Sequence, residues 1–162
     1  LIRERMGKSI EHIASIHVLN SCKRYTKDIS MLVAAILHDV LEDTKITENE
    51  LIYFLKEIMK KNEAAKAFLY IKELTDVYTK ENYPNLIRAD RQRLETERLK
   101  SVSPEAQTIK YADIMDNTPS IVNNDPSFAK IYLEEVKHKV FKMNKGNRKL
   151  RNAVLNLLNN HK

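Results

Sequence analysis

An all-α, single-domain helical bundle is the fold this sequence predicts, on three observations. Apolar residues recur at helical spacing almost throughout the 162 residues. Only 2 residues are glycine, too few for hairpin-rich β architecture or a Gly-rich phosphate loop. Helix-start signals, several followed at once by proline, divide the chain into helix-length segments. With 43% apolar and 31% charged residues, the composition is globular and the length suits one hydrophobic core.

The elements follow in order. A first helix is expected over residues 9–25, with Ile10, Ile13, Ile16 or His17, and Asn20 on neighbouring turns. Asp28 is placed to cap a second helix over 29–42, whose middle from Met31 to Leu37 is apolar nearly all round, as in a packed central helix. Thr47-Glu48-Asn49-Glu50 is a capping box that opens a third, with Leu51, Phe54, Leu55 and Ile58 facing inward. Asn62 is the expected cap of a fourth, carrying Ala67, Phe68, Ile71 and Leu74 inward. Residues 75–85 read as a loop, since Pro84 disfavours helix immediately before it.

Residues 86–100 form a heavily charged helix rich in possible i,i+3 and i,i+4 pairs. Ser103-Pro104 and Asp125-Pro126 each combine a capping side chain with proline at the first helical position, opening helices over 104–122 and 126–142. A last helix over 147–158 follows Gly146. The 4 prolines are expected between periodic segments, and the chain carries no internal repeat or long linker.

Composition also narrows function. The single cysteine, Cys22, excludes an internal disulfide framework, fits a reducing compartment and reads as a small packed side chain. No apolar run approaches the roughly 20 residues needed to span a bilayer and no signal-peptide pattern opens the chain, so a cytoplasmic location away from membranes is expected. The net charge of +6 favours anionic partners. The chain opens on Leu1, and further N-terminal helix is expected to precede it.

The chemistry concentrates at two polar interruptions of apolar helices. One is His38-Asp39-Val40-Leu41-Glu42-Asp43-Thr44, at the end of the central helix. Burying charge without a partner costs several kcal/mol, roughly, so such residues need a reason to be there. Adjacent His and Asp diverge by about 100° on a helix and can share one ion only near a helix end or beside a second helix. Glu42 follows Asp39 by one turn. The other interruption runs from Ile109 to Thr118, where Asp113 and Asn117 share a face. His12 or His17 could add a further nitrogen.

Two imidazoles and two carboxylates make a mixed N/O site suited to Mn²⁺, with Fe²⁺, Co²⁺ or Zn²⁺ as rivals. Such an ion polarises a phosphoryl oxygen and lowers the pKa of a bound water, with Glu42 placed to accept a proton.

The string AAILHDVLEDT (34–44) resembles the HD-domain metal-dependent phosphohydrolases, and within them the RelA/SpoT hydrolase branch, whose pattern is ALLHDxxEDT. SPEAQTIKYADIMDNT (103–118) is similar to that branch's KLADxxxN segment, and Leu74-Thr75-Asp76 to its loop after the fourth helix. The resemblance covers residues 3–125. It implies an HD-domain bundle and metal ligation by His38, Asp39 and Asp113. It also implies water activation by Glu42 with Asp43, and Asn117 beside the nucleotide.

The family's first ligand lies in a YIxHP segment about two dozen residues before the dyad. His12, 26 residues before His38, fits this better than His17 at 21. Ser9 and Ile13 replace the flanking tyrosine and proline. Arg3 and Arg5 are the partial equivalents of a basic RxK-type element that contacts the nucleotide. The spacing of 74 positions from Asp39 to Asp113 is longer than the branch leads one to expect, an excess attributed to the charged helix 86–100.

Lys110 and Tyr111, beside the last ligand, are candidates for phosphate and base contact, against surface and core readings respectively. Arg88, Arg91 and Arg93 are candidates for phosphate contact, against a solvated ion-paired face. The basic stretch of Lys137, His138, Lys139, Lys142, Lys145, Arg148, Lys149 and Arg151 reads as solvated surface more readily than as a nucleic-acid site, because no aromatic residues are interleaved with it.

The resemblance implies a metal-dependent hydrolase that removes the 3′-pyrophosphate of a phosphorylated guanine nucleotide, (p)ppGpp, with Mn²⁺ or another divalent transition metal as its cofactor. The alternatives are an HD-type nucleotidase or phosphoesterase on another nucleotide, and a non-enzymatic basic helical module for nucleic acid.

Overall fold

A computed structural model describes residues 16–161. The described residues are helical with no strand, and the chain divides into two compact units at the Thr75/Asp76 boundary.

In the first unit, α1 (Ile16–Lys23), α2 (Ile29–Leu37), α3 (Val40–Asp43), α4 (Glu48–Ile58) and α5 (Lys61–Leu74) follow in order. Asp28 caps α2 by accepting from the Ser30 backbone N–H at 2.8 Å, and the Ser30 hydroxyl donates to the Glu63 carbonyl at 2.9 Å, tying α2 to the start of α5. α2 packs on α1 and α5, and α4 on α5. Met31, Ala34, Ala35, Leu37, Leu51, Leu55, Ala67 and Ile71 are buried, as is Cys22.

The capping box at Thr47 and Glu50 forms as expected. Two expectations are corrected: Ile58 is exposed where α4 ends, and α5 starts earlier, with Lys60 in place of Asn62 at the cap position and Asn62 inside the helix. In α1, Val18 and Cys22 turn inward.

The second unit contains α6 (Arg88–Ser101), α7 (Pro104–Asn124), α8 (Pro126–Lys142) and α9 (Arg148–Asn160). α7 packs on α8 and α9, and α6 on α8. Ser103, Asp125 and Asn147 cap α7, α8 and α9 through the backbone N–H groups of Ala106, Phe128 and Leu150. Pro119 does not lie between segments: α7 runs through it. Proline has no N–H to offer the carbonyl four residues back, and one missing rung does not end a helix held by its buried residues.

Basic residues of the tail serve as helix terminators. Arg151 donates to the Val140, Phe141 and Met143 carbonyls at the end of α8, and Lys145 Nζ to those of Ser101 and Val102 at the end of α6. Orphan C-terminal carbonyls and cations are natural partners.

Candidate metal centre and anion cleft

The first interruption breaks the central helix. α2 ends at Leu37, the dyad forms a turn, and a single helical turn, α3, carries Glu42 and Asp43. Asp39, at φ −94° and ψ 1°, redirects the chain. A continuous helix over 29–42 was expected. The break instead lets two consecutive side chains meet, with His38 Nε2 and Asp39 Oδ2 3.1 Å apart.

His38 is buried, and its Nδ1 lies 2.9 Å from the Ala35 carbonyl, an acceptor only. Nδ1 therefore carries the proton, and in the neutral ring the lone pair sits on Nε2, beside the Asp39 carboxylate. Asp39 makes no capping bond with its side chain. This is the donor chemistry of a metal-ligating pair: an imidazole nitrogen oriented by a backbone carbonyl, and a carboxylate oxygen next to it.

Glu42 and Asp43 are exposed, and their backbone N–H groups both donate to the Asp39 carbonyl, at 3.1 and 2.9 Å. Partial burial, with the Asp39 charge adding to it and His38 opposing, pushes the Asp43 carboxyl above its ordinary value. Thr44 caps the segment, donating to the Val40 carbonyl at 2.6 Å and accepting from the Ile46 N–H at 3.1 Å.

The second interruption lies on α7. Asp113 is buried and both carboxylate oxygens are held: Lys110 Nζ donates to Oδ2 at 2.9 Å and Asn117 Nδ2 to Oδ1 at 2.7 Å. The i,i+4 pairing of Asp113 and Asn117 was legible from spacing. The inward turn of Lys110 was not. Tyr111, offered by the sequence as a surface for a base, is fully buried, and its hydroxyl donates to the Met143 carbonyl. It has no face open to a ligand, which corrects that reading in favour of core packing.

Gln92, Lys110, Asp113, Asn117, Tyr132 and Lys139 line a cleft of about 190 Å³ in this unit. Arg88 and Glu135 also border it, joined by two parallel bonds of 2.9 and 2.8 Å, with the Arg88 guanidinium 4.9 Å from the Phe128 ring centre. That pairing holds the Arg88 guanidinium even further above its usual range. Of the other α6 arginines, Arg91 donates to the Leu86 carbonyl and the exposed Arg93 lies 3.9 Å from Asp90.

Sequence reasoning missed Lys139, assigned there to solvated surface. It is buried, because it falls on the inward stripe of Leu133, Val136, Val140 and Met143. That periodicity was the available signal. His12, Arg3 and Arg5 lie outside the described residues. Among the described residues, no three His, Cys, Asp or Glu side chains are grouped as they would be around an ion.

Residues 11–118 match the HD domain family, two thirds of the chain, and the protein belongs to it. The chain is 27% identical over 118 residues to guanosine-3′,5′-bis(diphosphate) 3′-pyrophosphohydrolase MESH1 of Drosophila melanogaster, over 73% of this chain and 58% of that protein. A solved structure of a metazoan orthologue of SpoT, described as hydrolysing ppGpp and acting in starvation responses, matches with a TM-score of 0.67 at 26% identity. That match covers 92% of this chain and 78% of the other. Among the described residues, no helix is long and apolar enough to cross a membrane.

Proposed function

We propose that this protein is a metal-dependent phosphohydrolase that removes the 3′-pyrophosphate of a guanosine bis(diphosphate), acting as a single HD domain in the cytoplasm. The observation that carries the proposal is the His38–Asp39 turn: a buried imidazole with its lone pair on Nε2, 3.1 Å from a carboxylate oxygen, inside the family's own motif. The names of the two relatives support the substrate class.

His38, Asp39, Asp113 and His12 are the proposed ligands, and their two nitrogens and two oxygens suit Mn²⁺. Such an ion supplies Lewis acidity and a water that ionises near neutral pH. Glu42, one helical turn from Asp39, accepts the proton of the attacking water. Asp43, whose carboxyl partial burial and the Asp39 charge hold above its ordinary value, supports it. Asn117 and Lys110 hold Asp113 at both oxygens and present their remaining capacity to substrate, with Arg3 and Arg5 completing the contacts to the nucleotide.

The test is a screen of phosphorylated nucleotides with Mn²⁺-loaded full chain, identifying the phosphate species released. Pyrophosphate from the guanosine bis(diphosphate) is expected; orthophosphate from monophosphates would instead make the protein a nucleotidase. Asp39→Ala is expected to lose bound metal and turnover together. Glu42→Ala is expected to keep metal and lose turnover by about 100-fold or more, the scale of general base catalysis. Normal turnover by the Glu42 variant would refute its role.

A further inference from the structure

A second concavity of the second unit lies outside the proposed reaction. Val122 near the end of α7, Pro126, Ala129 and Leu133 of α8, and His161 at the end of α9 border a groove of about 530 Å³. On α8 the groove and the cleft use different faces. Glu134, at the middle of the groove stripe, and Val136, within the cleft stripe, stand about 200° apart around the helix at 3.6 residues per turn.

The groove is apolar at its floor and cationic at its rim. Lys130 and Lys137 stand two turns apart on α8, with Glu134 between them. Among the described residues neither lysine is in an ion pair. Glu134 can match only one of them, so the rim keeps a net positive charge. The wider field has the same sign, since residues 126–161 carry 8 Lys and Arg against 2 Glu.

Size decides the kind of occupant. From Pro126 to Lys137 the groove follows α8 for about 16 Å, and it is about one helix, roughly 10 Å, across. A stable protein interface needs at least about 1,000 Å², far more than such a strip supplies. The volume of 530 Å³ falls instead within the range of small-molecule sites, about 300–1,000 Å³. A saturated chain advances about 1.25 Å per bond, at a bond length of about 1.5 Å and an angle of about 111°, so dodecanoate extends about 14 Å.

We propose that this groove binds a free amphiphilic anion, a medium-chain carboxylate. Its alkyl chain covers Ala129 and Leu133, and its carboxylate is held by the lysine rim. The site is separate from the metal centre and stands whether or not the hydrolase reading does.

The experiment is calorimetric titration of the full chain at pH 7 with dodecanoate below its micelle concentration, where binding at one site is expected. Octanoate should bind about tenfold more weakly, because each half-buried methylene contributes about twofold. Dodecyltrimethylammonium, the same chain with the opposite charge, should not bind. Lys130→Glu with Lys137→Glu should weaken dodecanoate about tenfold, the scale of two exposed ion pairs. Lys61→Glu with Lys66→Glu, the same change of net charge at exposed positions of α5, should leave it unchanged. Val122→Phe, which narrows the groove from a half-buried position, should weaken binding at an unchanged thermal midpoint.

No binding of dodecanoate by wild type at millimolar concentration would overturn the proposal. Equal affinity for the cationic chain, or in the Lys130→Glu, Lys137→Glu protein, would overturn it too. Those two substitutions lie at solvent-accessible positions, so they decide the matter even if Val122→Phe fails to fold. A wild type that ignores dodecanoate but sediments with phosphatidylglycerol vesicles would assign the groove to a membrane surface instead. One that ignores it and forms a dimer that Val122→Phe disrupts would assign the groove to a second copy of this chain.

Discussion

Gly146→Ala tests how tightly the second unit is packed behind Asp113. A Cβ at Gly146 would lie 2.5 Å from Tyr111 Cε2, 2.9 Å from the Thr108 backbone nitrogen and 3.0 Å from Thr108 Oγ1. Gly146 does not have positive φ, so the demand for glycine here is steric and not conformational. The obstacles are poorly placed to yield. Tyr111 is fully buried with its hydroxyl on the Met143 carbonyl, and Thr108 Oγ1 donates to the Pro104 carbonyl while accepting the Asn147 N–H at 2.8 Å.

Overpacking costs about 1–3 kcal/mol and a lost buried hydrogen bond about 1 more, giving about 2–4 kcal/mol in all. At roughly 2–4 °C per kcal/mol for a chain of this size, the midpoint should fall by about 5–15 °C. Urea unfolding followed by circular dichroism measures it, with an unchanged slope showing that the native state alone has been strained. In a Tyr111→Leu background the alanine should cost at least about 1 kcal/mol less, because the ring it strikes is gone. A loss under about 1 kcal/mol in the wild-type background, or full additivity of the two substitutions, would refute the reasoning.

Glu95→Gln should destabilise the chain by about 2–4 kcal/mol and expose residues 76–87 to limited proteolysis. The buried Glu95 carboxylate accepts from the Val77 and Tyr78 N–H groups, at 3.1 and 2.9 Å, and from Arg98; protection equal to wild type would contradict this. The stability difference between wild type and Lys139→Met should depend on pH. The folded amine, at about 8, binds its proton less tightly than the unfolded one at 10.5, so the cost to wild type is full below about 8 and is relieved as pH rises toward 10.5. Its limit is about 3 kcal/mol, and paired urea titrations at pH 7 and 9.5 should show wild type gaining on the variant. Tyr111 and Tyr132, both raised by burial, oppose that trend only above about 10 and are common to the two proteins.

Sequence alone determined the local architecture, because its causes are local. A capping side chain and the turn it closes lie within four residues of each other, so Asp28, Thr47, Ser103 and Asp125 could be read directly, as could the two motifs that identify the family. The helix starts it misplaced, at 61 and 88, are those where no side chain caps. Tertiary structure decided what depends on neighbours distant in sequence. It broke the central helix at the dyad, bringing His38 Nε2 and Asp39 Oδ2 together, where an unbroken helix would have splayed them. Packing against α6 and α9 buried Tyr111 and Lys139, the distant end of α6 claimed Lys145, and the end of the preceding helix claimed Arg151. A lysine looks the same in sequence whether water or a helix faces it; only the assembled unit sets the dielectric around its charge.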